Sequence, residues 1–131
     1  PGMGHSGAAR SGMSNLTMSA AFEWAQAGVR VNAVAPGWVA SSGMDSYGGA
    51  VKAMIPRLRE HVPLRRLATE AEISAAIVFL LSPGAAFITG VTLQIDGAAS
   101  LGSPVFPTME HESSVAFEGF HRAQTPEALQ P

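Results

Sequence analysis

The sequence predicts an α/β fold built on a parallel sheet. A long helical stretch is followed by a short glycine turn and the β-branched run VRVNAVA at residues 29–35. A second helical stretch is followed in the same way by the alternating run VTLQID at residues 91–96. Two strands that each follow a helix through a short connection are typical of parallel sheets, because parallel strands need a crossover between them.

The first helix is predicted over residues 7–27. Its large apolar residues recur at intervals of three and four, which indicates a helix with a buried face. This stripe consists of Met13, Leu16, Ala20 and Trp24. The other faces carry Gly, Ala and Ser, so we expect the helix to be buried on two sides. Gly28 stands where a left-handed residue ends a helix.

The loop after the first strand is the predicted ligand-contacting stretch. Residues 36–49 are rich in Gly and Ser and are long for a plain connection. Ligands of parallel sheets gather at the carboxyl ends of the strands, where this loop begins. A short helix interrupted near Pro56 is predicted over residues 51–61.

The second helix is predicted to begin with a capping box. Thr69 is the expected N-cap and Glu72 follows three residues later, so each side chain can bind the other's backbone N–H. The helix continues to Leu81, and residues 82–84 (Ser-Pro-Gly) end it. The strand at residues 91–95 alternates apolar and polar residues, which predicts that one of its faces is covered.

The chain is predicted to divide near residue 100. Residues 1–100 form half of an α/β domain, and residues 101–131 form an extended C-terminal tail. Arg65 and Arg66 precede the capping box, where they either meet a phosphate or cap a helix end and pair with nearby glutamates. His111 and His121 lie ten residues apart without a third ligand at metal-like spacing, so no metal site is expected.

The composition excludes several classes of partner. Lys and Arg total 8 against 10 Asp and Glu, with no basic stripe, so no nucleic-acid partner is expected. Apolar runs stay below the roughly 18–20 residues that a membrane span needs, so no membrane partner is expected either. The chain has no cysteine, no signal-peptide pattern and no peroxisomal ending, which favours a cytoplasmic protein. Because it does not begin with Met, we expect a larger gene product.

Four segments in this order resemble the C-terminal half of the short-chain dehydrogenase/reductase family. They are the small-residue helix, VRVNAVAPG at residues 29–37, PLRRLAT at residues 63–69 and FITGVTLQIDG at residues 87–97. The resemblance implies the C-terminal half of a Rossmann-type doubly wound parallel sheet. It also implies an oxidoreductase that uses NADP or NAD and assembles as a homo-oligomer, a dimer or tetramer.

The same resemblance implies a cofactor site after the first strand. Pro36 and Gly37 would shape the floor of the nicotinamide pocket. The backbone of Val39 would pair with the carboxamide, and Ser41 would lie near the pyrophosphate. Gly37 lets the backbone approach closely, because it has no Cβ. On this basis, replacing Gly37 with Val is expected to abolish cofactor binding while leaving the fold largely intact.

The catalytic helix departs from the family pattern Tyr-x-x-x-Lys. The preferred register places the pair on Ser6 and Arg10, and a second register places it on Ser14 and Met18. Arg10 keeps a cation, but a guanidinium is not equivalent to an ammonium. The Ser6 hydroxyl is too weak an acid to replace a phenol without an activating base. We therefore expect the proton donor outside these 131 residues.

Two substrate classes follow from the resemblance. HSGAAR at residues 5–10 is similar to the family branch that contains peroxisomal trans-2-enoyl-CoA reductase and the 2,4-dienoyl-CoA reductases. FEGFHR at residues 117–122 resembles a bacterial group that acts on terpenoid alcohols and aldehydes. The expected small-molecule substrate is thus an acyl-CoA thioester or a hydrophobic alcohol or aldehyde. The alternatives are a non-catalytic member that keeps the fold, or an inactive fragment that serves assembly only.

Overall fold

A computed structural model describes residues 3–102, 109–119 and 124–130. The prediction for His121 and the second half of the FEGFHR motif lie outside these residues. The helices and strands are α1 (Gly4–Trp24), β1 (Ala33–Pro36), β2 (Val39–Ala40), α2 (Gly49–Met54), β3 (Ala68–Thr69), α3 (Glu70–Leu81) and β4 (Thr92–Ile95). Short 3-10 turns lie at Ala25–Ala27, Ser42–Ser46, Ile55–His61, Pro83–Ala85, Ala99–Leu101 and Glu127–Leu129.

Two parallel strand pairs confirm the predicted α/β class. In the pair of β1 with β4, Ala33 N donates to Val91 O at 2.9 Å and Gly37 N donates to Ile95 O at 3.0 Å, so both strands advance together. In the other pair, β2 runs parallel to β3, with Val39 beside Ala68. The first strand is shorter than predicted, since β1 begins at Ala33 rather than at residue 29.

The internal contacts divide the chain into two units. Among the described residues, the first unit contains residues 3–35 and 77–94, and the second contains residues 36–76 and those from 95 onward. Within residues 109–119 there is neither a helix nor a strand. The division into residues 1–100 and a tail of residues 101–131 stays a prediction.

The first unit contains α1, which begins at Gly4, three residues before the predicted start, and continues after Trp24 as a 3-10 turn that ends before Gly28, as predicted. Gly28 has φ 72°, and its N–H bonds to Ala25 O at 2.9 Å. The buried residues of α1 are Thr17, Ala20 and Ala21. The predicted stripe is largely exposed within this chain, with Met13 at 61%, Leu16 at 58% and Trp24 at 52%. Of the predicted stripe only Ala20 is buried, and most of the other small residues of α1 are exposed, so the chain itself does not cover the helix on two sides.

Close packing explains why the covered face of α1 is small. A Cβ built on Gly90 would lie 3.4 Å from Ala21 Cβ. The backbone before β4 thus passes almost in contact with the helix, and a larger side chain at position 21 would push it away. Gly90 also needs to be glycine for its own conformation, since its φ is +78°.

Arg30 fixes the end of α3 in the first unit. Its Nη1 donates to Leu80 O at 2.7 Å and to Ile88 O at 3.4 Å, and its Nη2 donates to Ser82 O at 3.5 Å. The last carbonyls of a helix have no partner inside the helix, and a cation near them is favourable. One side chain before β1 therefore holds both the end of α3 and the connection to β4.

The second unit contains the predicted capping box. The Thr69 hydroxyl accepts from Glu72 N at 3.2 Å, and the Glu72 carboxylate accepts from Thr69 N at 2.9 Å. The core of this unit lies between β3 and the short helices of residues 42–61, where Met44, Ile55 and Leu67 are buried. As predicted, the helix is interrupted near Pro56, because α2 ends at Met54 and continues as a 3-10 turn.

Among residues 3–102, 109–119 and 124–130, no helix combines the length and the apolar character that crossing a membrane requires.

Candidate functional site

The candidate site is the segment Pro36–Ser41 of the second unit. Pro36 ends β1, and the Gly37 N–H still bonds to the neighbouring strand at Ile95. The chain then forms β2, which pairs with β3. The segment thus lies at the carboxyl end of a parallel strand, the position where ligands of α/β sheets bind.

Gly37 is in close contact with the corner that follows β4. A Cβ at position 37 would lie 2.9 Å from both Asp96 Cα and Asp96 Cβ, which is shorter than real Cβ contacts. The Asp96 carboxylate accepts from Ala98 N at 2.9 Å and Ser100 N at 3.1 Å, so the corner is held in place. Glycine is therefore required at position 37 by the chain itself. The expectation that Gly37→Val leaves the fold largely intact does not agree with this packing.

Val39 directs its backbone groups away from β3. The Ala68 N–H donates to Trp38 O at 2.9 Å, with Val39 beside Ala68 in the register. In a parallel pair, a residue such as Ala68 bonds to the residues before and after the one beside it, and not to that residue itself. The N–H and C=O of Val39 therefore point to the opposite edge of β2. They take no part in the pairing of β2 with β3.

Ser41 lies at the start of the 3-10 turn Ser42–Ser46. It is half-buried and extended, with φ −135° and ψ 159°. Its carbonyl accepts from Met44 N at 3.0 Å, whereas its side chain makes no capping bond to the turn. The hydroxyl is therefore not used by the local backbone.

Trp38 is a further candidate site residue, which the sequence placed within the ligand-contacting stretch but did not single out. Its backbone is fixed between Gly37 and β2, and its side chain is 47% exposed. Tyr47, at the far end of the turn that follows, is 49% exposed. The available signal was a large aromatic side chain directly after Pro-Gly at a strand end. Such a side chain on a fixed backbone offers an apolar surface to a ligand.

Ser6 and Arg10 lie in the first unit, near the start of α1. They are one turn apart on the same face of the helix, where Ser6 is half-buried and Arg10 is exposed. Ser14 is half-buried and Met18 is 54% exposed. The structure thus brings Ser6 and Arg10 together as a pair, and it brings the Pro36–Ser41 residues together within the other unit.

Arg66 was predicted either to bind a phosphate or to pair with a nearby glutamate, and the structure shows the ion pair. Its Nη1 and Nη2 bond to the Glu72 carboxylate at 2.8 and 2.6 Å, and its Nε bonds to the Ser114 carbonyl and hydroxyl at 3.1 and 2.9 Å. Hydrogen bonding from Arg66 lowers the pKa of the Glu72 carboxyl to about 2. With all of its nitrogens engaged, Arg66 has no donor directed at a phosphate.

Arg65 differs from Arg66 in both backbone and side chain. Its φ is +59°, a left-handed conformation that is uncommon for a residue with a long side chain. Its Nε is buried and has no hydrogen-bond partner among the described residues. The structure leaves the predicted phosphate role of Arg65 untested.

A loop segment at the carboxyl end of a parallel strand, followed by a capped helix, is typical of α/β proteins with a parallel sheet. The family model described as Enoyl-(Acyl carrier protein) reductase matches residues 1–100. The probable 2,4-dienoyl-CoA reductase of Bacillus subtilis is 42% identical over 98 residues, which are 73% of this chain and 38% of that protein. The chain belongs to the short-chain dehydrogenase/reductase family.

Solved structures agree with this family. The citronellol catabolism dehydrogenase of Pseudomonas aeruginosa PAO1 is 65% identical with a TM-score of 0.61, covering 76% of this chain and 36% of that one. A short-chain dehydrogenase of Bacillus anthracis is 39% identical with a TM-score of 0.62, covering 75% and 37%. The predicted Rossmann-type α/β class is thereby confirmed. The chain spans between 36% and 38% of the length of the three proteins compared.

Proposed function

We propose that this chain belongs to an NAD(P)-dependent oxidoreductase that oxidises a hydrophobic alcohol or reduces the corresponding aldehyde. The main support for the proposal is the position of the Pro36–Ser41 segment at the carboxyl end of β1 in a chain of this family. The 65% identity to a citronellol catabolism dehydrogenase supports an alcohol or aldehyde over other substrates.

The residues of the segment fit a nicotinamide cofactor, NADP or NAD. Val39 presents an N–H and a C=O on the edge away from β3. This pair suits a carboxamide, which donates hydrogen bonds through its NH2 and accepts them through its C=O. Ser41 has a hydroxyl that its own turn does not use, which suits a phosphate oxygen. When bound, the nicotinamide would supply hydride transfer at C4. The role of this chain is to position and shield the ring through Pro36, Gly37, Val39 and Ser41.

Ser6 and Arg10 would occupy the positions of the family's catalytic pair. Arg10 supplies a positive charge that can attract a ribose or phosphate oxygen. Ser6 supplies a hydrogen bond but no acid of suitable pKa. In the proposed reaction the proton of the substrate hydroxyl would therefore be accepted by a group outside these residues, while Ser6 and Arg10 would help to orient the substrate and the cofactor.

A second candidate function is reduction of a C=C bond conjugated to a CoA thioester. It is supported by the 42% identity to the Bacillus subtilis relative and by 34% identity to a rat peroxisomal 2,4-dienoyl-CoA reductase. The exposed apolar residues of α1 support assembly as a dimer or tetramer, since they need a partner surface. A cytoplasmic location completes the proposal.

Turnover assays on the whole protein in which this chain occurs test the proposal. Citronellol is offered with NAD⁺ and NADP⁺, and a 2,4-dienoyl-CoA is offered with NADPH, while nicotinamide absorbance is followed. We expect saturable oxidation of the alcohol. Turnover of the dienoyl-CoA alone would establish the second candidate. If neither substrate class reacts, the non-catalytic alternative stands and the proposal is wrong.

A matched pair of serine variants tests the cofactor site in the same assay. Ser41→Ala should raise the KM for the cofactor about threefold to tenfold, the effect of losing one hydrogen bond. Ser46→Ala is the control, because the Ser46 hydroxyl lies in the same turn and bonds only locally to Gly43 O at 2.7 Å. Equal cofactor KM values for the two variants would remove Ser41 from the site.

A further inference from the structure

A short segment late in the chain packs against the helices that follow the candidate site. We call residues 126–129 the strap and residues 42–61 the helical segment. Pro126 of the strap is among the most deeply buried residues, with less than 2% of its surface exposed. Ala128 and Leu129 pack against the cluster formed by Met44, Ile55 and Leu67. The strap is thus part of the core that supports the helical segment.

Two hydrogen-bonded contacts join the strap to α2 and to the 3-10 turn before it. The Glu127 carboxylate bonds to Lys52 Nζ at 2.7 Å, which ties it to α2. The Glu127 backbone N–H donates to Asp45 Oδ1 at 2.9 Å, which ties it to the preceding 3-10 turn. Both contacts use the same residue, so Glu127 bridges the two ends of the connection that carries Tyr47.

The helical segment needs such outside support. It consists of helices of 5, 6 and 7 residues, and α2 has no side-chain cap at its start. Isolated helices below about 12–15 residues are marginal in water, so packing must hold these ones. Its described buried side chains are Met44 and Ile55, and both meet the cluster that the strap completes.

We propose that the strap positions the helical segment for substrate binding and that Glu127 is a positioning residue. The inference rests on the proposed function, because the helical segment follows Ser41 directly and would cover the substrate beside the nicotinamide. Without the strap, the helical segment would be less well ordered where it contacts the substrate. The cofactor contacts at Pro36–Ser41 would be unchanged, because the paired strands hold that segment. The strap therefore acts on substrate affinity and leaves cofactor affinity unchanged.

The test compares three forms of the whole protein in which this chain occurs with the unaltered one. Glu127→Gln removes the carboxylate charge at the Lys52 contact and leaves the backbone contact with Asp45 in place. A deletion of residues 126–131 removes the strap and both contacts. Glu23→Gln is the control, because Glu23 is an exposed carboxylate on α1, outside both the helical segment and the strap. Amide hydrogen exchange is followed by mass spectrometry, and the KM values for citronellol and cofactor are measured.

We expect faster exchange in residues 42–61 but not in α1 for Glu127→Gln and the deletion. The KM for citronellol should rise about twofold to fivefold in Glu127→Gln, the range of an exposed ion pair, and further in the deletion. Cofactor KM should stay constant, and Glu23→Gln should match the unaltered protein. If the deletion fails to fold, Glu127→Gln carries the test.

Two results would overturn the inference. Unchanged exchange in residues 42–61 would show that the strap does not hold the helical segment. Faster exchange with an unchanged citronellol KM would show that the segment is held but does not position substrate. Inactivity of the unaltered protein toward citronellol is a different result, because it overturns the proposed function and with it the substrate role of the strap.

Discussion

Arg66 and Glu72 form a two-pronged ion pair, with Nη1 to Oε2 at 2.8 Å and Nη2 to Oε1 at 2.6 Å. Their side chains are only 19% and 20% exposed. The same carboxylate caps α3 through the Thr69 N–H and accepts from Phe117 N at 3.3 Å. One carboxylate therefore joins a turn, the start of a helix and the segment around Phe117.

The first prediction concerns Glu72. Glu72→Gln should lower the free energy of unfolding by about 2 kcal/mol at neutral pH, because it removes charged hydrogen bonds in a poorly exposed site. Urea unfolding measures the change. Glu70→Gln is the control, since Glu70 lies in the same first turn and Arg66 bonds to Glu72 instead. An equal loss in both variants would assign the effect to the helix dipole.

The second prediction concerns pH. Glu72 has a folded-state pKa of about 2, lowered from 4.5 mainly by the Arg66 hydrogen bonds. Its stabilisation is thus fully present above about pH 4.5 and is lost as the pH falls toward 2. The difference in stability between the unaltered protein and Glu72→Gln should shrink over that interval. A difference that is constant from pH 6 to pH 3 would contradict the ion pair.

The third prediction concerns Gly37. Gly37→Ala should lower the free energy of unfolding by about 1–3 kcal/mol, because the new Cβ would overlap the backbone at Asp96. Gly43→Ala should be neutral or slightly stabilising, since its Cβ would meet only Ser41 Oγ at 3.5 Å. Thermal unfolding of both variants distinguishes the two sites. If Gly37→Ala left the free energy of unfolding unchanged, the backbone at Asp96 would have to shift at little energetic cost.

The fourth prediction concerns Arg30. Arg30→Met should lower the free energy of unfolding by about 1.5–3 kcal/mol, because the carbonyls at the end of α3 lose their charged donor. Arg30→Lys should recover part of this, since an ammonium can reach only some of the three carbonyls. Arg57→Met, at an exposed position, serves as the control and should change little. Chemical denaturation measures all three.

The fifth prediction concerns Ala98, which has φ 69° and ψ 14°. Ala98→Gly should raise the free energy of unfolding by up to about 1 kcal/mol, because it relieves a left-handed conformation that disfavours a Cβ. The greater freedom of glycine in the unfolded chain offsets part of the gain. Ala99→Gly, the next residue, should destabilise instead. Thermal melting of the pair provides the comparison.

Local signals in the sequence predicted the local features correctly. The Thr69–Glu72 capping box and the glycine end of α1 at Gly28 depend on residues a few positions apart, so their pattern is visible in the sequence. The contacts of Arg30 with α3 and of Glu127 with Lys52 join residues that are 50 and 75 positions apart. Nothing in the sequence near either residue indicates its partner, because such contacts depend on the folded chain.

The candidate site shows the same limit. Pro36, Gly37, Val39 and Ser41 were located by family resemblance, and the structure supplies the reasons that the backbone at Gly37 and Val39 is fixed. The close contact at Asp96 could not be read from the sequence, since it joins two strand ends. Burial of α1 was mispredicted for a related reason, because an apolar stripe does not reveal which surface will cover it.

The interlocked glycines near Asp96 have a consequence for sequence variation. Gly37 has no room beside Asp96, and Gly97 has none beside Val62, where a Cβ would lie 2.7 Å from Cγ1. The two strand ends and the turn before β3 thus fit together with no spare volume. During divergence, a side chain can appear at position 37 only if the corner at residues 96–97 shifts as well. Relatives that lack glycine at 37 should therefore carry compensating changes, or a length difference, at that corner.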